Sequence, residues 1–346
     1  MQSKKTEILI DPDVLSESHL SNDIHSRESH VNEIINCMRP ITNGDKPVNC
    51  WLYGKSGAGK TASAIHALRK LTEEAGVRGV YVNCWEYPTF FSVLERTAMK
   101  LRMLGAEKLS TSFKLERLKR HISGERLVIV LDEIDKPPPK ERHAILYNLS
   151  GLSKTGLICA CNSQHAYFDL EDRIKSRLNP ARIHFQEYTQ NELFEILLQR
   201  ARHALATDTC DEGLFHTIAA LASGDARIAI HTLKNAAFLA EKDAQDVITN
   251  SHVMKAWNSA NDLNKTHMVS KLTDHHRLLY ELISKNNRIL SGELWRQYIE
   301  TCDSRKIRPI AVRTYSDYCN KLVEFGLVQA KRAAIQGKVR EFTVAQ

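Results

Sequence analysis

The chain has 346 residues, of which 42% are apolar and 26% charged, with a net charge of +7. That balance suits a globular protein with room for two or three domains. No apolar run approaches the length of a membrane span, the polar start Met1-Gln2-Ser3-Lys4-Lys5 lacks the apolar stretch of a signal peptide, and the eight cysteines include no C-x-x-C pair. These features argue against a membrane protein, a secretory leader and a cysteine-held metal centre, and a reducing cytoplasm is expected.

Residues 1–22 read as a polar, loosely packed lead-in. Ser26-Arg27-Glu28 opens a helix with Val31, Ile34, Ile35 and Met38 at helical spacing, and Asn43-Gly44-Asp45 breaks it. Val48 to Tyr53 is a short apolar run of strand character, followed directly by Gly54-Lys55-Ser56-Gly57-Ala58-Gly59-Lys60-Thr61. The spacing fits G-x-x-x-x-G-K-[ST], a loop that cradles phosphates between a strand and a helix. Its glycines let the backbone wrap until successive N–H groups face anionic oxygens, and the next helix adds the positive end of its dipole. Lys60 is expected at the β and γ phosphates of a nucleotide, and the Thr61 hydroxyl in the shell of a Mg²⁺ ion. Ala62, Ile65, Leu68 and Leu71 then repeat at helical spacing.

Gly79 to Cys84 reads as a second strand, and helices are expected at about 89–104 and 112–122. Leu127 to Leu131 is continuously apolar, as befits a strand buried on both faces of a parallel sheet, and it ends in Asp132-Glu133-Ile134-Asp135. A helix over 140–149, a strand over 156–161 ending at Asn162, and a strand over 181–185 complete an alternating β/α order. A parallel α/β core over residues 23–188 is therefore expected. Ligands of such sheets sit beyond the carboxyl ends of the strands, where the glycine-rich loop meets Asp132 and Glu133. Asp132 is placed to hold the metal shell and Glu133 to orient or deprotonate the attacking water. Asn162 either positions that water or is a polar turn residue.

At Thr189-Gln190-Asn191-Glu192 the pattern becomes purely helical, with capping-box spacing, and a helical domain is expected over 189–262. Within it Arg227 follows Ser223-Gly224-Asp225-Ala226 at a helix start. It either reaches the γ-phosphate from a lid or is simply exposed. Arg173 and Arg177, taken alone, are surface charge. Residues 263–274 read as a linker. In 275–346, helices near 277–284, 291–301 and 311–325 precede two alternating runs around Gln336-Gly337, the plan of a winged helix. Residues 270–346 carry 14 Lys and Arg against 8 Asp and Glu, whereas the rest of the chain carries 34 against 33. A DNA-facing module is implied, with Arg313 and Ser316 on its third helix and Arg332, Lys338 and Arg340 on its hairpin as candidate contacts.

Taken together, these motifs resemble the AAA+ ATPases, and within them the archaeal initiator family related to the eukaryotic origin-recognition and cell-division-control proteins. The resemblance rests on Gly54–Thr61, Leu131–Asp135, Tyr81-Val82-Asn83-Cys84, Asn162, Asp172–Arg177, Ser223–Arg227 and the terminal winged helix, and covers the chain from about residue 20 onward. It implies an AAA+ core, a helical lid and a winged helix. It further implies that Asn162 is the first sensor, Arg227 the second, and Arg177 a finger acting on a neighbouring subunit, with Arg173 as the alternative. Residues 101–113 fall where that family has a DNA-touching insertion. Ser26 precedes Arg27 where the family often has His, so its adenine contacts do not carry over directly. The implied function is replication initiation. In it, origin duplex DNA is bound by the winged helix and the core, ATP/ADP and Mg²⁺ serve as a slow switch for assembly with other initiator subunits, and a replicative helicase is recruited, in the cytoplasm at the nucleoid. A branch-migration helicase motor and a nucleotide-gated transcription regulator are the alternatives.

Overall fold

The computed structural model describes residues 7–16, 19, 24, 26–103, 110–163, 165–259, 273–324, 327–332 and 339–344. Strands β1 (Cys50–Tyr53), β2 (Arg78–Asn83), β3 (Leu127–Asp132), β4 (Thr155–Cys161) and β5 (Ala181–His184) form a parallel sheet in the order β2-β3-β4-β1-β5. Every residue of β3 and β4 is buried. The reason is that both faces are covered. Val128 and Val130 of β3 pack with α1 (Glu28–Met38) and α2 (Lys60–Ala75). Ile129 and Leu131 point the other way, toward α3 (Phe90–Lys100), α4 (Thr111–His121) and α5 (Pro139–Leu149). A strand that alternates between two apolar layers has to be apolar throughout. Two short helices, α6 (His165–Phe168) and α7 (Asp172–Leu178), lead into β5.

The helical region contains α8 (Gln190–Ala204), α9 (Glu212–Ala222), α10 (Ala226–Lys242) and α11, residues 250–259. Thr189 caps α8 as its spacing suggests. Its hydroxyl accepts from the Glu192 N–H, and the Glu192 carboxylate accepts from the Thr189 N–H at 2.7 Å.

The N-terminal segment is not the loose lead-in that its polarity suggests. Ile8, Leu9, Val14 and Leu15 are buried in the core of this helical region, Leu9 bridges Leu205, and the Ile8 and Leu9 N–H groups both donate to the Glu241 carboxylate at 2.9 Å. Arg200 donates to the Val14 and His19 carbonyls. The segment is tied down by helices far along the chain, which local polarity does not reveal.

The chain divides into two compact units, residues 1–256 and 257–346. The second contains α12 (Asp274–Asn286), α13 (Ser291–Ser304) and α14 (Val312–Glu324), with an antiparallel sheet β6-β8-β7 built from β6 (Arg288–Leu290), β7 (Val328–Arg332) and β8 (Arg340–Val344). Leu279, Ile283, Tyr298, Leu322 and Phe342 fill its core. The strand β6 is an addition to the expected three helices and hairpin: three residues are too few to show a period.

Candidate nucleotide site

The glycine-rich loop turns from the end of β1 into α2. Gly57 and Gly59 have φ of 75° and 90°, left-handed values that cost glycine nothing. Both are also points of close approach: a Cβ on Gly57 would collide with the Asp225 carboxylate, and one on Gly59 with the Tyr188 hydroxyl. Asp225 caps α10, accepting from the N–H groups of Arg227 at 2.9 Å and Ile228 at 3.3 Å, and the Ala226 N–H donates to the Gly57 carbonyl. The helical region is thus docked on the loop through the start of the helix that carries Arg227.

Lys60 is 6% exposed, and its ammonium donates to the Gly54 and Lys55 carbonyls at 2.8 and 2.7 Å. Burial lowers its pKa. The Thr61 hydroxyl donates to Asp132 Oδ2 at 2.8 Å. Asp132 ends β3 and is 4% exposed. Its Oδ2 also accepts from the Tyr81 hydroxyl at 2.9 Å, and its Oδ1 from the Glu133 N–H at 3.0 Å. Burial, then the Asp132 charge, pushes the Tyr81 phenol pKa up, so the hydroxyl keeps its proton and remains a donor. Glu133 is held at φ 51° just past the strand, and burial, then Asp132, raises its carboxyl pKa. The Asn162 N–H, one residue beyond β4, donates to Asp135 at 3.4 Å.

A cavity of about 370 Å³ is lined by Gly57, Gly59, Lys60, Thr61, Asp132, Glu133, Asn162 and Arg227, with Tyr81 and Asn83 from β2. Ile24, Tyr188, Ile196 and Ile230 add apolar lining, and Ser16 and His19 of the N-terminal segment line it too. Hard oxygen donors beside a buried ammonium, with an apolar recess adjoining, fit a metal-bound nucleotide. Gly54, Lys55, Ser56 and Ala58 belong to the loop but do not line the cavity. Lys55 faces outward, paired with Glu187 at 2.6 Å.

Arg177 and Arg173 are not brought to this cavity. Both are exposed on α7, their guanidinium carbons 4.5 and 5.5 Å from the Tyr147 ring centre, and Arg173 pairs with Glu171. In the second unit Arg313 is exposed in the first turn of α14, Ser316 bonds back to the Val312 carbonyl, and Arg340 donates to Asn320 of α14 at 2.6 Å. Arg332 ends β7 opposite Arg340. Lys338 and the expected turn at Gln336-Gly337 lie outside the described residues, as does 104–109 of the expected insertion.

Arg27 has a structural part that its place in the sequence does not show. It is 4% exposed and donates to the Ala58 carbonyl of the loop at 2.9 Å and to the Gln186 carbonyl at 2.6 Å. Its guanidinium lies 3.9 Å from the Tyr188 ring centre and 3.7 Å from the Glu192 carboxylate. Arg27 therefore joins the loop to the start of the helical region. Its place at a helix start and the family's adenine-contacting position both mark it, but neither reveals partners more than 150 positions away.

Three sequence families match successive parts of the chain: AAA domain over residues 47–162, Cdc6 AAA+ ATPase-type lid domain over 194–258, and CDC6 C-terminal winged helix domain over 268–345. ORC1-type DNA replication protein 1 of Halobacterium salinarum is 31% identical over 307 residues, 87% of this chain and 98% of the relative. The chain belongs to the ORC1-type DNA replication proteins. A second ORC1-type relative, from Thermococcus kodakarensis, is 29% identical and matches 92% of this chain and 83% of its own length. The Aeropyrum pernix ORC1 protein, solved in complex with DNA, superposes with a TM-score of 0.78 at 28% identity, covering 100% of this chain and 95% of that one. The RuvB branch-migration motor of Thermotoga maritima gives 0.51 at 19% identity, a likeness of fold alone. As an ORC1-type protein the chain is a DNA replication initiator with an AAA+ ATPase domain. Among the described residues no helix is long and apolar enough to cross a membrane.

Proposed function

We propose that this protein binds origin duplex DNA through its winged helix and AAA+ core. ATP binding and slow hydrolysis set its conformation and its assembly with other initiator subunits, and the assembled form recruits a replicative helicase. The observation that carries the reading is one cavity in which Lys60, Thr61, Asp132, Glu133 and Asn162 of the core meet Arg227 of the lid. A site completed by two parts of the chain can report its occupancy as a change between them.

Lys60 would exchange its two carbonyl partners for phosphate oxygens. Thr61 and Asp132 would hold Mg²⁺, which when bound offsets phosphate charge. Glu133, with its raised pKa, suits a group that takes a proton from water. Asn162 would orient that water, Arg227 would meet the γ-phosphate from the lid, and Arg177 would act on the site of a neighbouring subunit. The exposure of Arg177 away from its own cavity supports a role in trans. Arg313, Ser316, Arg332, Lys338 and Arg340 are the proposed DNA contacts.

The test is footprinting across the host's DNA with ATP, with ADP and with Lys60→Ala. Protection of discrete repeats that changes with the nucleotide, and fails to change in the variant, is the expected result. Sustained DNA-stimulated turnover without site preference would point to a motor instead.

A further inference from the structure

Resting on the reading of this cavity as a nucleotide–metal site, we infer that Tyr81 is the positioning residue that holds the metal-binding carboxylate of Asp132 in place. The register of the sheet sets up the contact. In the β2–β3 pairing Asn83 lies opposite Asp132 and Tyr81 opposite Val130. Side chains alternate along a strand, so Tyr81 and Asn83 share a face, and both line the cavity. From two residues below the strand end only a long side chain reaches the carboxylate, and tyrosine carries a hydroxyl at that reach. The hydroxyl lies 2.9 Å from Asp132 Oδ2.

Asp132 takes three donors: the Glu133 N–H on Oδ1, and the Thr61 and Tyr81 hydroxyls on Oδ2. They differ in what else they do. The Glu133 N–H is backbone, fixed by the turn. Thr61 is itself an expected ligand, so its oxygen has a second task. Among the described residues the Tyr81 hydroxyl bonds to Asp132, and its ring packs beside the core on the α2 side of the sheet. With Tyr81 and Thr61 on the same oxygen, the carboxylate plane is fixed before any ion arrives. A ligand held this way spends no rotamer freedom on binding the metal. Partners one step removed from an ion typically change its affinity about 10–100-fold when removed.

The experiment is a Mg²⁺ titration of fluorescent-ATP binding by the full chain, comparing wild type, Tyr81→Phe and Lys60→Ala. Tyr81→Phe keeps the ring and removes the hydroxyl. The expected result is a rise of roughly 10-fold in the half-saturating Mg²⁺ concentration, with affinity in EDTA unchanged. In an Asp132→Asn background the same change should have no further effect, because Tyr81 acts through that carboxylate. A Mg²⁺ midpoint equal to wild type overturns the inference. So does an equal loss of affinity with and without Mg²⁺, which would place the hydroxyl on the nucleotide. Should Tyr81→Phe not purify folded by thermal melting, Tyr81→Leu repeats the measurement. Wild type that binds no nucleotide, or binds it as Lys60→Ala does, would instead refute the reading of the cavity itself.

Discussion

The candidate nucleotide site and the proposed DNA-contacting surface of the winged helix are built on opposite plans. Around the cavity, polar side chains already have partners, most of them backbone: Lys60 two carbonyls, Asp132 one N–H and two hydroxyls, Arg27 the Ala58 and Gln186 carbonyls. On the winged helix Arg313 stands in solvent, and the Arg340 guanidinium rests on Asn320 and beside the Phe342 ring. A bonded network fixes geometry in advance and makes its members interdependent. Separate exposed cations sum their contributions one by one, as contact with a continuous line of phosphates requires. Substitutions should therefore behave as a unit in the first region and independently in the second.

The largest effect is expected from Lys60→Ala, which should bring nucleotide binding below detection, because the loop's other cation, Lys55, faces outward on Glu187. Next, Arg177→Ala should bind ATP normally yet lose about 10³-fold of any hydrolysis that depends on assembly, the size of a lost arginine finger. Mixing it with Lys60→Ala should restore part of that activity. Failure to do so in mixtures shown to associate would turn attention to Arg173. Glu133→Gln should leave binding intact and slow hydrolysis by about 100-fold. Burial raises the Glu133 pKa above 4.5, and a base works deprotonated. Wild-type hydrolysis should thus fall with decreasing pH through a midpoint above that value, while binding does not follow. Equal loss of affinity in the Lys60 and Glu133 variants would break the division of labour.

Smaller effects are expected on DNA, measured by salt titration with specific and random duplexes. Arg313→Ala, if it reads a base edge, should cost about 1–3 kcal/mol on the specific duplex only. Arg340→Ala should weaken all sequences alike and flatten the slope of log K against log salt by about 0.9, with Lys338→Ala adding a similar step. Strong coupling between Arg313 and Arg340 would dissolve the contrast between the two regions.

The same contrast explains what could be read in advance. The meeting of the loop with Asp132 and Glu133 was legible because a glycine-rich loop and an acid pair at a strand end have fixed spacings, and the β3 strand because burial on both faces leaves an unbroken apolar run. Tyr81, Asp225 and Arg27 were not, since each acts through strand register or through approach of a distant segment. The burial of the N-terminal segment is hidden for a related reason: Ile8, Leu9, Val14 and Leu15 follow neither a helical nor a strand period, because they fill gaps between helices formed elsewhere. Exposed Arg177 carries no local sign of use, as a residue serving another subunit would not.

That N-terminal segment also orders events during synthesis. Ile8 and its carboxylate partner Glu241 are 233 positions apart, so on the order of 10–50 s separates their emergence from the ribosome. Throughout that interval the first segment has apolar side chains and two backbone donors without their final partners. The core sheet, complete by His184, can close first. The helices that follow cannot finish their interior until Ile8, Leu9, Val14 and Leu15 dock on them. Nascent chains halted before and after residue 241 should accordingly differ in protease resistance, with the step falling in the helical region and in residues 7–16 together.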